Sequence, residues 1–555
     1  MTGLTKSITR SVNWKSEWIK DLTNKTTSSS RGKMSCLPKS ITHTPSRSKI
    51  YKTKMRPQSL DWKTMKIAFQ NWKNPASFLL PDLFTLALVI GLYSYAILLL
   101  GVLHILTIQN IIIVTIPLAF WLFSQLKHIK FPSMIHPLLW LIIIQCLVNL
   151  IGALGPEIGF DALWYHLSLP KIWLQNHSIF FIPGAQFKYS VMPMLTEMFY
   201  FIFPGKLIHY LFGILSLIVT YKISKSLLAV LILSSNLVFG WQSTSAYVDL
   251  SRTFFEILAL YLFIDNKIYK SAIVLGLAAS TKLLAFGSLP IFWILIWLKT
   301  KNIKSIILYS FFILLTVSPW LLRAYLSTGN PIYPFFTSLY TDTHISLDPQ
   351  NLLNLLTRSS DPVNPIYLIT LVLLPFIKIE NKRTLFLILY SLFSLIVWVL
   401  TPNTGGGRFI LPYLPALSIV SAYVIYNSQS LIKKILITVT VTVTVTSIIY
   451  RFAANLKYLQ PKEQLLRKEL AFNFGDYYDF DHFFKPSDRV LPIGINNLYY
   501  LNAKIVFNNP DYILLRNSQL PPQYQNWNLV LQNQITNSKI YQSPASPSSP
   551  HRTSL

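Results

Sequence analysis

Apolar residues fall in long uninterrupted runs, without the one-sided stripe of a soluble helix. LFTLALVIGLYSYAILLLGVLHIL (83–106) and TLFLILYSLFSLIVWVL (384–400) are typical, and as helices such runs cross a hydrocarbon layer ~30 Å thick. The same pattern predicts spans at 82–104, 109–126, 136–153, 206–221, 226–242 and 252–265. It continues with two short helices within 271–299 around Lys282, then 305–321, 366–378, 384–400, 408–427 and 435–450. The total is about 13 spans. The last contains TVTVTVTVTS (438–447), which has the period of a strand. An isolated strand leaves its backbone unsatisfied in lipid, so the expectation is a helix whose Thr hydroxyls bond back to the preceding turn.

The pattern changes after Tyr450. Residues 451–545 are polar, with a helical stretch (KEQLLRKELAF) and then short β-like runs, RVLPIGI, YYLNAKIVF, DYILLR and WNLVLQN. The expected fold class is therefore an all-α polytopic membrane protein over 76–450 with a small α/β domain over 451–545. Residues 1–75 read as a basic, disordered tail in which Met34, Met55 and Met65 are alternative starts, and 546–555 as a disordered end.

Composition agrees: 52% of the 555 residues are hydrophobic and 13% charged, about half the charged fraction of a soluble chain. The formal charge of +28 raises the question of nucleic acid, and its distribution answers it. Much lies before residue 75, and most of the rest in KHIK (127–130), KISK (222–225), KTKNIK (299–304), KIENKR (378–383) and Lys433-Lys434. Basic residues in alternate short loops mark the cytoplasmic side of a membrane, and no basic–aromatic module accompanies them. Nucleic acid is excluded as a partner, and membrane lipid is expected. The threading puts the N-terminus inside and the α/β domain outside. Glu157, Asp161, Asp249, Asp342, Asp348 and Asp361 then fall on the outer side. No apolar signal-peptide core appears in the first 75 residues, and Cys36 and Cys146 make no disulfide framework.

Ionisable groups at a bilayer are costly and suggest function. The first outer loop, 154–205, holds Glu157, Asp161, His166, Lys171, Lys188 and Glu197. AYVDLSRTFFE adds Asp249, Arg252 and Glu256, ASTKLLAF adds Lys282, and Arg323 and Arg408 stand at later span ends. Read as an α-helix, 160–169 puts Asp161, Trp164, Tyr165 and Ser168 on one face. Leu163 and Leu167 then lie along the membrane interface, with His166 off the Asp161 face. Such a layout suits transfer of a sugar from a polyprenyl-phosphate carrier. A carboxylate acts as general base or holds a metal beside the phosphate. Lys and Arg stabilise the departing phosphate.

These pieces resemble the integral-membrane GT-C glycosyltransferases, nearest the bacterial relatives of the dolichyl-phosphate-mannose protein mannosyltransferases and of the aminoarabinose transferase. The matching stretches, in family order, are FDALWYHLSLPKIW, MPMLTEMF, AYVDLSRTFFEILALY, GLAASTKLLAF, PWLLRAYLSTGNPIYPFF and GGGRFILPYLP. The resemblance implies an inverting enzyme with a lipid-phosphate sugar donor and Asp161 as catalytic carboxylate. Asp249 then supports Asp161, and Lys282, Arg323 and Arg408 contact the donor phosphate. Glu157, Tyr165, His166, Lys171, Glu197 and Arg252 line the substrate cavity. Branches of the family carry two adjacent first-loop acids, whereas Glu157 and Asp161 are four apart here. A divalent metal at Asp161 therefore stays open, and no other cofactor is implied. The WWDYG-type signature of oligosaccharyltransferases is absent. The acceptor is a lipid, protein or envelope glycan at a bacterial plasma membrane. The rival reading, a lipid-linked saccharide flippase, calls for paired interrupted halves, and the sequence has no such repeat.

Overall fold

The computed structural model describes residues 82–126, 136–340, 348–357, 362–401, 403–470, 480, 483–495, 497–533 and 537–544. The basic tail with Cys36, the KHIK cluster, Asp342, Asp361 and the chain end lie outside the described residues.

Helices α1 (Leu83–Val102), α2 (Ile108–Leu126) and α3 (Pro137–Leu154) lead to a π-turn at Ala162–His166 and the short α4 (Ser168–Gln175). Then come α5 (Gly205–Ser224), α6 (Leu227–Ser234), α7 (Leu237–Gln242), α8 (Asp249–Ile264) and α9 (Ile268–Thr281). A 3-10 segment (Leu283–Ser288) joins α9 to α10 (Leu289–Thr300) and α11 (Ile303–Thr328). After α12 (Pro349–Thr357) follow α13 (Ile366–Leu373), α14 (Lys382–Val399), a 3-10 segment (Asn403–Tyr413), α15 (Leu414–Asn427) and α16 (Ser430–Asn455).

Among the described residues, nine helical stretches are long and apolar enough to cross a membrane. Their outer faces are bare hydrocarbon: Phe120 is 76% exposed and Leu326 74%. Patches of that kind call for lipid around them. The protein is a multi-helix membrane protein; against the expected count of about 13 crossings, the described residues hold nine long apolar helices and two shorter ones, Ile268–Thr281 and Ile366–Phe376. The span expected at 226–242 is broken into α6 and α7 at Asn236, which adopts an extended ψ of 131°. Its amide donates back to the Ile232 and Leu233 carbonyls at 2.8 and 3.0 Å, competing with the helix. Helix α11 runs further than expected, to Thr328, where Gly329 at φ 73° caps it. The threonine-rich run is helical within α16, with Thr440 and Thr444 hydroxyls donating to the carbonyls of Leu436 and Thr440 at 2.8 Å.

Helices α9 and α11 approach closely at Gly276. A Cβ there would stand 2.6 Å from Thr316 Cβ and 3.0 Å from the Ile313 carbonyl oxygen. Gly276→Ala is expected to cost about 1–3 kcal/mol through overpacking against backbone. Thermal denaturation in detergent checks it, and an unshifted midpoint contradicts the close crossing.

Beyond α16 lie α17 (Lys462–Leu470) and strands β1 (Arg489–Ile493), β2 (Lys504–Ile505), β3 (Tyr512–Leu515), β4 (Asn528–Gln532) and β5 (Lys539–Gln542). They form one mixed sheet in the order β2-β1-β3-β5-β4, parallel between β1 and its neighbours and antiparallel at β5. Four strands were expected from the sequence. The fifth, KIYQ, is too short and polar to declare itself.

Candidate active site

Four separate segments bring charge to one place. Asp249 is the first residue of α8, where the positive end of the helix dipole favours a carboxylate. Lys282 breaks the chain after α9 with extended backbone (φ −156°, ψ 123°), which turns its side chain toward α8. Its Nζ donates to Asp249 Oδ1 at 2.7 Å and lies 4.9 Å from the Phe409 ring centroid. Arg408, in the 3-10 segment before α15, donates from Nη1 to Asp161 Oδ2 at 2.7 Å. Its Nε stands 3.7 Å from Asp249 Oδ2, within ion-pair reach and beyond a hydrogen bond. The guanidinium also packs 5.0 Å from the Tyr247 ring centroid and 5.3 Å from that of Phe409. Asp161 and Asp249 are thus bridged by one arginine.

Asp161, Lys282 and Arg408 open onto a cavity of about 230 Å³ lined also by Tyr165, His166, Tyr189, Glu197 and Phe409, among others, with Asp249 buried behind them. A larger cavity of about 490 Å³ lies among apolar side chains of α13, α15 and α16. It carries none of the charged groups, so the chemistry belongs to the smaller one. On the wall of the smaller cavity, His166 Nδ1 lies 2.7 Å from Glu197 Oε1, and both residues are buried. Burial pushes the Glu197 carboxyl up to about 8 and holds His166 well below its ordinary value.

The helix reading of 160–169 needs correction. Residues 162–166 form a π-turn, in which positions five apart align. His166 therefore comes under Asp161 and faces the cavity, where α-helical spacing put it on another face. Trp164 instead donates to the Gln186 carbonyl at 2.6 Å, and Ser168 is buried against the Leu163 carbonyl. Leu163 and Leu167 pack in the protein core, not along the membrane interface. Asp161 precedes the turn without capping it.

Four candidates stand apart from the cavity. Glu157 accepts from the amides of Ile158 (2.8 Å), Gly159 (2.6 Å) and Ala246, which ties the first loop to the stretch before Asp249. Lys171 donates to the carbonyls of Leu498, Tyr499 and Leu501 at 3.0, 2.9 and 2.5 Å, fastening the chain between β1 and β2 to α4. Arg252 turns into the helix bundle, 2.5 Å from Glu256 Oε1 and 3.0 Å from the Tyr413 hydroxyl. Arg323 is enclosed within α11, donates to the Ser190 carbonyl at 2.9 Å and packs on Trp173. It steadies the loop that presents Tyr189 and does not reach the phosphate candidates.

Tyr189, Tyr247 and Phe409 were missed as site residues. Tyr247 and Phe409 sit inside the matched stretches AYVD and GGGRF, next to the charges they support. Aromatics near span ends read as the interfacial belt, which concealed them. For a metal, no group of three or more His, Cys, Asp or Glu gathers among the described residues. Asp161 faces a guanidinium, so its surroundings do not fit a protein-held cation and no step is routed through one.

The sequence matches no protein-family model and no curated protein. Among solved structures it is similar to the crystal structure of ArnT from Cupriavidus metallidurans bound to undecaprenyl phosphate. The TM-score is 0.49 and the identity 12%, covering 75% of this chain and 100% of that one. The crystal structure of ArnT from the same organism in the apo state gives a TM-score of 0.48 and 11% identity, covering 72% of this chain and 97% of that one.

Proposed function

We propose that this protein transfers a sugar from a polyprenyl-phosphate donor to an acceptor, with inversion, on the outer face of a bacterial plasma membrane. The observation that carries the reading is the meeting of Asp161, Lys282 and Arg408 at one cavity, with Asp249 buried behind the two cations, from segments far apart in sequence. The polyprenyl-phosphate class of donor comes from the motif resemblance. Lys282 and Arg408 are the cations that would receive the phosphate, sharing it with the carboxylates they now hold. As the bond from the sugar to the phosphate breaks, their positive charge stabilises the growing negative charge. Asp161, 18% exposed at the cavity wall, takes the proton of the attacking acceptor group. Asp249 holds both cations in register. On this reading the cavity and the C-terminal sheet both belong to the outer side, as the basic loops of the sequence suggest.

The test is turnover of a panel of radiolabelled polyprenyl-monophosphate sugars by the purified protein in lipid nanodiscs. Release of the sugar to water or an added acceptor is expected for one donor. Binding without release, across a panel covering hexoses and pentoses, would instead fit a transporter.

A further inference from the structure

The transfer just described leaves two ionisable cavity groups without a task. Asp161 and Asp249 hold Arg408 and Lys282, so those four charges cancel formally. A donor phosphodiester adds one negative charge, and the departing phosphate approaches two unless a proton reaches it. His166 and Glu197 line the same cavity, and neither holds a cation of this site. Their nitrogen and oxygen are 2.7 Å apart, Glu197 Oε2 has no hydrogen-bond partner, and both side chains are more than nine-tenths buried.

We propose, resting on the function above, that the His166–Glu197 pair is the proton donor to the departing phosphate of a prenyl-phosphate ester. The buried Glu197 carboxyl is protonated at neutral pH and donates to His166 Nδ1, which places the imidazole's own proton on Nε2. The acceptor oxygen bonds to the sugar's anomeric carbon while the bond from that carbon to the phosphate oxygen breaks. The departing oxygen keeps the electron pair and receives the Nε2 proton. The Glu197 proton moves to Nδ1 and leaves a carboxylate, while the acceptor's proton rests on Asp161. After the product leaves, Asp161 releases its proton and Glu197 regains one, so the cycle closes without net gain or loss. Lys282, Arg408 and His209 disfavour a positive imidazole here, and Asp249 favours it. The Tyr165 and Tyr247 rings flank it at 4.1 and 5.6 Å, and Tyr200 lies within electrostatic reach of Glu197. A neutral pair that lends a proton fits those surroundings better than a resting imidazolium.

The test titrates the purified protein with farnesyl monophosphate between about pH 7 and about pH 9, above the phosphate's own second ionisation. Wild-type affinity is expected to fall about tenfold per pH unit above the Glu197 ionisation. Glu197→Gln, which keeps a donor to Nδ1 but cannot release a proton, and His166→Gln should both flatten that limb. The infrared band of a protonated carboxyl, read on the ligand-free wild type, should disappear across the same range and be missing from Glu197→Gln. An unchanged limb in both variants, or no such band at neutral pH, overturns the proton donor and leaves the transferase reading standing. Failure of the wild type to bind the phosphate at any pH overturns both.

Discussion

Asp161→Asn is expected to lower sugar release at least ~10²-fold at saturating donor, the scale of lost general-base catalysis. Asparagine keeps the size of the side chain and one carbonyl oxygen for the Arg408 Nη1 bond of 2.7 Å. It cannot accept the acceptor's proton, so kcat falls while the site stays assembled. Donor affinity should hold or rise, because Arg408 loses a competing carboxylate and keeps Asp249 at 3.7 Å. Turnover and donor binding measured on one preparation check this. Unchanged turnover removes Asp161 from the chemistry, and loss of binding together with turnover makes it a structural partner of Arg408.

The largest effect on stability is expected at Glu256. It is fully buried, and Arg252 is 2% exposed. Glu256 Oε1 takes the Arg252 Nε bond, and Oε2 accepts from the Ser288 and Tyr390 hydroxyls. Glu256→Leu strands a buried guanidinium, at a cost of ~3–5 kcal/mol. The double change with Arg252→Met removes the orphaned charge and should recover most of the loss. Thermal midpoints of the three proteins in detergent check this, and a single variant as stable as the wild type contradicts the buried pair. The same cluster braces the site from below. Arg252 follows Asp249 by one turn, Ser288 ends the segment that Lys282 begins, and Tyr413 ends the one that carries Arg408. Slower turnover in the single variant, restored in part by the double, would follow from that.

Local chemistry was legible in the sequence where one physical rule dominates. The apolar runs gave the long helices, and the lipid argument overrode the strand-like TVTVTVTVTS. The break at Lys282 was readable from a lone lysine among small apolar residues. The rest depends on contacts that no local pattern encodes. Arg408 and Asp161 are 247 positions apart, and Lys282 and Asp249 are 33 apart across a helical turnabout. The π-turn shifts every face after Asp161 by one position, which is why His166 and Ser168 were exchanged. Arg323 looked like a helix-end cation because the expected span stopped at 321, yet α11 continues past it to Thr328 and encloses it. Lys171 and Glu157 had the right charges for substrate, and backbone groups from distant segments use them instead.

The most direct measurement is a cryo-electron-microscopy map of the protein with polyprenyl monophosphate in nanodiscs. The expected result is a phosphate within hydrogen-bond reach of both Lys282 Nζ and the Arg408 guanidinium, with the lipid chain leaving the cavity toward the bilayer. A phosphate bound elsewhere, with both cations still held by Asp161 and Asp249 alone, would contradict it.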